Sequence, residues 1–232
     1  MLQRGSSGVI LITGFVIARM RFKKNRLIPT AAGALWLLTV AAGIGILWNY
    51  ESTPGVAAAT PDRWPAASRI KPAADGATLV MSAHPRCPCT RASVGELARL
   101  MTQARGRVTA YVLFVRPPGF SEGWEQTALW AGAAAIPGVT PLRDDEGVEA
   151  GRFHAATSGQ TALYDAAGKL IFSGGITGAR GHAGDNAGRA AIVSLLTAGE
   201  AERRDAPVFG CPLFAQTECP SGVEVGRETN NH

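Results

Sequence analysis

The chain has 232 residues, of which 46% are hydrophobic and 18% charged. That balance excludes a wholly disordered chain, and four cysteines are too few to replace a core in a disulfide-stapled mini-protein. The net charge of +5 sits near the N-terminus: residues 1–50 hold Arg4, Arg19, Arg21, Lys23, Lys24 and Arg26 and no acid, leaving seventeen basic and eighteen acidic residues for the remainder. No basic face for nucleic acid is therefore expected on the folded part.

From Leu27 to Trp48 the chain runs for 22 residues without a charge. A helix of roughly 20 apolar residues crosses a bilayer core of about 30 Å. Trp48 and Tyr50 mark its far end as interfacial aromatics do, and five basic residues between Arg19 and Arg26 precede it. The positive-inside rule then puts residues 1–26 in the cytoplasm, makes 27–48 a single transmembrane helix, and sends the rest outside, with the periplasmic side of a cell inner membrane as the expected location. The small residues Ala57-Ala58-Ala59 keep a cleaved signal peptide open as the alternative. A shorter apolar run, 9–18, is too short to span, and Met20 opens a complete signal-anchor pattern, so Met20 is a candidate for the true start, with residues 1–19 an artefact of start-site choice.

Residues 49–76, with Pro54, Pro61, Pro65 and Pro72 among Ala, Ser and Thr, read as a semi-extended linker. Fully stretched, the 26 residues from Glu51 to Gly76 reach at most about 85–90 Å. From Ala77 the pattern changes. Strands are expected at 77–82, 108–115, 139–142, 161–164 and 169–173, and helices at 91–104, 124–135, 148–155 and 186–198. Asp144, Asp145 and Glu146 read as a solvated turn, and Asp165-Ala166-Ala167-Gly168 as a hairpin turn. The order β-α-β-α-β-α-β-β-α predicts an α/β domain over 77–198, with parallel strands, crossover helices and an antiparallel hairpin at one edge. Residues 199–232 form a cysteine-containing tail, expected to be disordered beyond Ser221.

The segment His84-Pro85-Arg86-Cys87-Pro88-Cys89-Thr90 follows the first domain strand and opens the first domain helix. A thiol at a helix N-terminus faces unpaired N–H groups and a positive dipole end, which favour the thiolate. Arg86 and Arg91 act in the same direction. The thiolate is the attacking species in thiol–disulfide exchange.

This placement, the element order and the hairpin TALYDAAGKLIFSGGI resemble the thioredoxin-like superfamily, in particular its membrane-tethered TlpA/ResA and peroxiredoxin-like branch. HPRCPCT, SGGITGARGHAGDNAG and FGCPLF together also look like the group known as RedB. The resemblance covers about residues 77–198. It implies a central sheet with flanking helices, exchange with protein thiols or disulfides, no cofactor, and Cys87 and Cys89 as the reacting pair. It also implies a substrate groove made by His84, Pro88, Gly159, Gln160 and Thr161. Two departures stand out. The spacing is Cys-x-Cys rather than Cys-x-x-Cys, with Arg86 where the first cysteine belongs. Gln160 replaces the cis-proline that faces the cysteines, and a trans bond is expected there because a cis non-proline bond costs about 2.5–4 kcal/mol.

Other readings remain open. His84, Cys87 and Cys89, with His182 or His154 as a distant ligand, are soft enough donors for copper, as in the Sco-type proteins this pattern also resembles. A scaffold that has lost its groove is a third reading. The Gly-rich loop 174–186 lacks the dinucleotide fingerprint, and Asp185 reads as the cap of the last helix. Cys211 and Cys219 read as a local disulfide, with Cys211 as a resolving thiol for Cys87 or Cys89 as the alternative. No G-x-S-x-G elbow supports hydrolase chemistry.

Overall fold

The computed structural model describes residues 8–56 and 58–214. The chain forms two units divided after Tyr50. The first is one helix, α1 (Gly8–Ser52), which joins the two apolar runs that read as separate in sequence. Its part from Leu27 to Ser52 contains an 18-residue stretch with a mean hydropathy of 1.9 and is, among the described residues, long and apolar enough to cross a membrane.

The second unit is an α/β domain. Its elements are β1 (Ala77–Ala83), α2 (Pro88–Ala104), β2 (Val108–Arg116), α3 (Ala128–Ala134) and β3 (Val139–Asp145). They continue with α4 (Val148–Arg152), β4 (Thr161–Tyr164), β5 (Leu170–Gly174), α5 (Ala187–Ala198) and β6 (Asp205–Ala206). The sheet order is β3-β2-β1-β4-β5-β6. β1, β2 and β3 run parallel, and β4 is antiparallel to β1. The β4–β5 hairpin, expected to form the sheet edge, does not end the sheet, because β6 adds a short parallel strand beyond β5.

Alternation along the strands divides the core into two faces. Leu79, Met81, Ala110, Val112, Phe114 and Leu163 face a layer in which Val94, Leu97, Leu100 and Met101 of α2 pack with Ile192 and Leu195 of α5. Leu97 and Leu100 are fully buried, each a gain of about 1.5–3 kcal/mol. The opposite face presents Val80, Leu113, Ala162 and Tyr164, which meet Phe153 after α4, with Ile70 and Trp64 beside them.

That second face corrects the linker reading. Residues 55–56 and 58–70 are pinned along the domain. α4 has only five residues, too few to cover a sheet face, and the preceding segment completes the cover. The Trp64 ring stands edge-on to Phe153 and Tyr164, at 5.1 and 5.2 Å between centroids. The Trp64 backbone N–H donates to Gly168 O, Leu170 N–H donates to Asp62 O, the Trp64 indole N–H donates to Ile70 O at 3.2 Å, and the Tyr164 hydroxyl donates to Pro61 O at 3.1 Å. Ser68 and Arg69 donate to Glu149 of α4.

Two further expectations change. Asp144 belongs to β3 and is fully buried; its carboxylate accepts from Glu149 and Ala150 N–H, both at 2.8 Å. It starts α4 in the way an N-cap does, rather than lying in solvent. At α5 the cap is Asn186, which accepts from Arg189 N–H, while Asp185 is exposed and pairs with the Arg189 guanidinium.

Since Trp64 completes the second face, Trp64→Ala should destabilise the domain by about 2–3 kcal/mol, less than the ~3–5 kcal/mol of a fully buried tryptophan. Denaturant unfolding of the full chain measures it, and an unchanged midpoint would mean that the segment is only draped on the sheet.

Candidate functional site

The site lies where β1 ends and α2 begins. Cys87 is the N-cap residue of α2, with φ −79° and ψ 120°, and Pro88 follows as the first helical residue. Proline suits that position because its missing N–H would have no helical acceptor. Cys87 N–H donates to His84 O at 3.1 Å, and Thr90 N–H donates to Cys87 O at 3.1 Å, which fixes the sulfur over the helix start.

The loop 156–160 faces this turn. The Ser158 hydroxyl accepts from His84 N–H at 2.8 Å and shares a 2.7 Å hydrogen bond with the Thr90 hydroxyl. Gly159 N–H donates to Ser82 O, and Ser82 N–H donates to Gln160 O. Gly159 has φ +89°, a conformation that strains any residue with a Cβ. All described peptide bonds are trans, so the bond before Gln160 is trans as expected.

The tail then crosses this loop. Ser158 N–H donates to Cys211 O at 2.8 Å, Leu213 N–H donates to Ala156 O at 2.9 Å, and Thr157 bridges Pro212. This pairing brings Cys211 Sγ to 3.0 Å from Cys87 Sγ, across 124 residues of sequence. The Arg180 guanidinium holds Gly210 O from the other side.

Electrostatics separate the three described thiols. The Cys211 S–H donated to Cys87, with Thr90 adding to it, outweighs burial and brings the Cys87 pKa from 9.0 down to about 4. Losing its proton to that hydrogen bond is what Cys211 resists: its own pKa is driven upward by the bond to Cys87 and by burial. Burial and the neighbouring Cys87 also raise Cys89. Cys87 is therefore the thiolate, and Cys89 and Cys211 are thiols.

His84 is tied into the turn, its Nδ1 accepting from Arg86 N–H at 3.2 Å and its ring edge-on to Trp124 at 5.7 Å. Burial lowers its pKa, with Cys87 opposing. Arg86 lies over the same Trp124 ring, 5.0 Å from its centroid. An open cleft of about 490 Å³ beside Cys87 is lined by Arg86, Pro88, Arg91 and Thr127, among others.

The expected site residues thus divide. His84, Cys87, Pro88 and Cys89 lie together at the helix start. Gly159, Gln160 and Thr161 flank the site but are buried rather than lining an open groove. The Gln160 side chain accepts from Ala156 N–H and donates toward Ala58 O and His154 O, binding the loop to the preceding segment. His182 and His154 are exposed, and the His154 ring contacts Ala59 O. Among the described residues no three His, Cys, Asp or Glu side chains gather as a metal-holding group, so the His84, Cys87, Cys89 and His182 donors do not converge in this arrangement. Cys219 lies outside the described residues, and with it the expected Cys211–Cys219 pair; Cys211 stands against Cys87. Sequence reasoning did not single out Ser158, Thr90, Trp124, Arg180 or Gly210. Their roles depend on chain crossings that no local pattern announces.

With its central parallel strands, an antiparallel β4 beside β1 and a cysteine at the start of the first domain helix, the fold is thioredoxin-like. No family model and no curated protein matches the chain. Among solved structures, a hypothetical protein from Sinorhizobium meliloti is similar at 21% identity, over 71% of this chain and 99% of that one, with a TM-score of 0.55. An uncharacterized conserved protein from Geobacillus kaustophilus is similar at 20% identity, over 62% and 80%, with a TM-score of 0.51. A secreted Mycobacterium tuberculosis disulfide oxidoreductase homologous to Escherichia coli DsbE matches at 15% identity, over 53% and 81%, with a TM-score of 0.38.

The depressed pKa of Cys87 gives a pH signature. In the reduced chain its thiolate absorbance should persist through the neutral range and disappear only as pH falls toward about 4. A folded-state pKa below the unfolded value also makes the reduced fold gain stability as pH rises, in full above the ordinary thiol pKa, and lose it as pH falls through the folded value. Cys211→Ala removes the leading donor and should move the absorbance step upward; an unmoved step would assign the shift to the helix start alone.

Proposed function

We propose that this protein is a membrane-tethered thiol–disulfide oxidoreductase whose domain works on the extracytoplasmic side of the inner membrane, anchored through residues 27–48 and exchanging with protein thiols or disulfides. The observation that carries the reading is the Cys87–Cys211 sulfur contact at the N-terminus of α2. In the reducing direction the Cys87 thiolate attacks one sulfur of a substrate disulfide. The substrate S–S bond breaks, a Cys87–substrate disulfide forms, and the second substrate sulfur leaves as a thiolate that takes up a proton. Cys211 then loses its proton and attacks Cys87 Sγ, releasing the remaining substrate thiolate. One substrate disulfide is reduced and a Cys87–Cys211 disulfide is formed, to be reset by an external dithiol. The oxidising direction is the reverse of these steps.

Cys211 replaces Cys89 as the resolving partner in this reading. A Cys87–Cys89 bond would close a very small ring at strained geometry, whereas the tail delivers Cys211 by backbone pairing.

Mild oxidation of the full chain followed by peptide mass mapping should recover a Cys87–Cys211 cross-link. Cys87→Ser should reduce exchange with a peptide disulfide to background, and Cys211→Ser should leave the substrate trapped on Cys87. Wild-type exchange by Cys87→Ser would overturn the proposal. A copper ion held by the reduced chain and lost in His84→Ala would replace it with the metal-carrier reading.

A further inference from the structure

Residues 208–213 form an extended strap across the loop 156–160. Its backbone takes hydrogen bonds from Ser158 N–H and gives one to Ala156 O. Leu213 is buried beside Val115, Ala150 and Ala155, and Arg180 holds the Gly210 carbonyl. Gly210 lies so close that a Cβ there would stand 1.9 Å from Ser158 O. Beneath the strap Cys87 is 2% exposed. On their outer side, Cys211 and Pro212 keep part of their surface in solvent.

A thiolate attacks a disulfide along the line of the breaking bond, so the target sulfur must stand against Cys87 with its own partner directed away. Cys211 already occupies that place. A disulfide in a folded protein therefore reaches Cys87 only after the strap has moved, and the vacated loop then offers Ser158 N–H and Ala156 O to an incoming backbone.

We infer that the strap is the resident occupant of a peptide-docking groove, and that the groove accepts an extended, cysteine-bearing segment of a partner protein with glycine before the cysteine and an apolar residue two positions after it. The inference rests on the proposed exchange at Cys87. The partner cysteine takes the position of Cys211, its backbone takes the bonds of Ser158 and Ala156, and its apolar residue takes the place of Leu213. The glycine requirement follows from the approach to Ser158 O. In the exchange, the partner's disulfide breaks as its cysteine sulfur joins Cys87, and its other sulfur departs as thiolate. When the strap returns, Cys211 attacks Cys87 and expels the partner.

The test uses the full chain in detergent, reduced, as Cys211→Ser, which keeps the strap, and as Gly210→Ala with Cys211→Ser, which expels it. The probe is the peptide VFGCPLF activated as a mixed disulfide with thionitrobenzoate, and the readout is the rate of release of the coloured thiolate. Expelling the strap should speed the peptide reaction by at least about tenfold, as for the loss of one competing anchor. Replacing leucine by aspartate in the peptide should remove the gain. Dithionitrobenzoate, a small aromatic disulfide, should respond less, because it can enter through the Arg86 and Arg91 cleft. Equal peptide rates in the two variants, or a gain indifferent to the peptide sequence, would overturn the docking groove. If neither probe reacts with a reduced Cys87, the exchange reading itself falls, and the groove with it. Should the Gly210 variant not fold, Arg180→Ala with Cys211→Ser loosens the strap without adding volume, and the same direction is expected.

Discussion

The loop 156–160 is the constraint on which the rest of the site depends. Its backbone and side chains face β1 through Ser82, the start of α2 through His84 and Thr90, and the tail through Cys211 and Leu213. Buried backbone groups must find partners, and here the partners come from three separate stretches of chain. Ser158 is shared most closely, its hydroxyl serving the helix start while its N–H serves the tail. A change in this loop is therefore felt at both sulfurs, because it aligns the segments that carry them.

The opposite face of the sheet shows a related economy. A mixed sheet with most of its strands buried needs cover on both sides, and α2, α3 and α5 account for one. On the other, the five residues of α4 leave room that Trp64 and Ile70 fill. The segment after α1 thus belongs to the fold, and the second unit begins at Glu51 rather than at the first strand. Glu96 gives the Gly-rich loop a comparable anchor: fully buried on α2, it accepts from Gly184 N–H and Asn186 and pairs with Arg189.

Much of this was legible in sequence because it is periodic. Thr161–Tyr164 is a short run bounded by the Asp165-Ala166-Ala167-Gly168 turn, and 91–104 carries Val94, Leu97, Leu100 and Met101 on one face, so strand and helix identity followed from local pattern alone. Cys87 was legible because a cysteine between a strand and a helix start has a clear electrostatic consequence. Asp144 misled because three consecutive acids look solvated, while a single carboxylate opposite two free N–H groups can be buried. Trp64 was lost among prolines, since aperiodic cover leaves no pattern. The Cys211 contact was present in sequence only as one pairing among several. Choosing it required the antiparallel register of residues 211–213 with 156–158, a non-local fact.

The same contact both prepares the nucleophile and restrains it. The hydrogen bond from Cys211 keeps Cys87 ionised at neutral pH, but a thiolate stabilised so far is a weaker nucleophile, since intrinsic reactivity falls with pKa. Burial under the strap restrains it further. When Cys211 moves away, Cys87 loses its leading donor and its cover together. Its pKa rises, and each unit regained increases the reactivity of the thiolate roughly threefold, as long as the pKa stays below ambient pH. In the proposed exchange, access for a folded partner and reactivity then increase in one event, and a stray small disulfide that enters the strapped form by the Arg86 and Arg91 cleft meets a sluggish thiolate. In the proposed groove, a docking segment that displaces the strap would thus activate the sulfur it is to react with, which would tie the specificity of the groove to the rate of the chemistry.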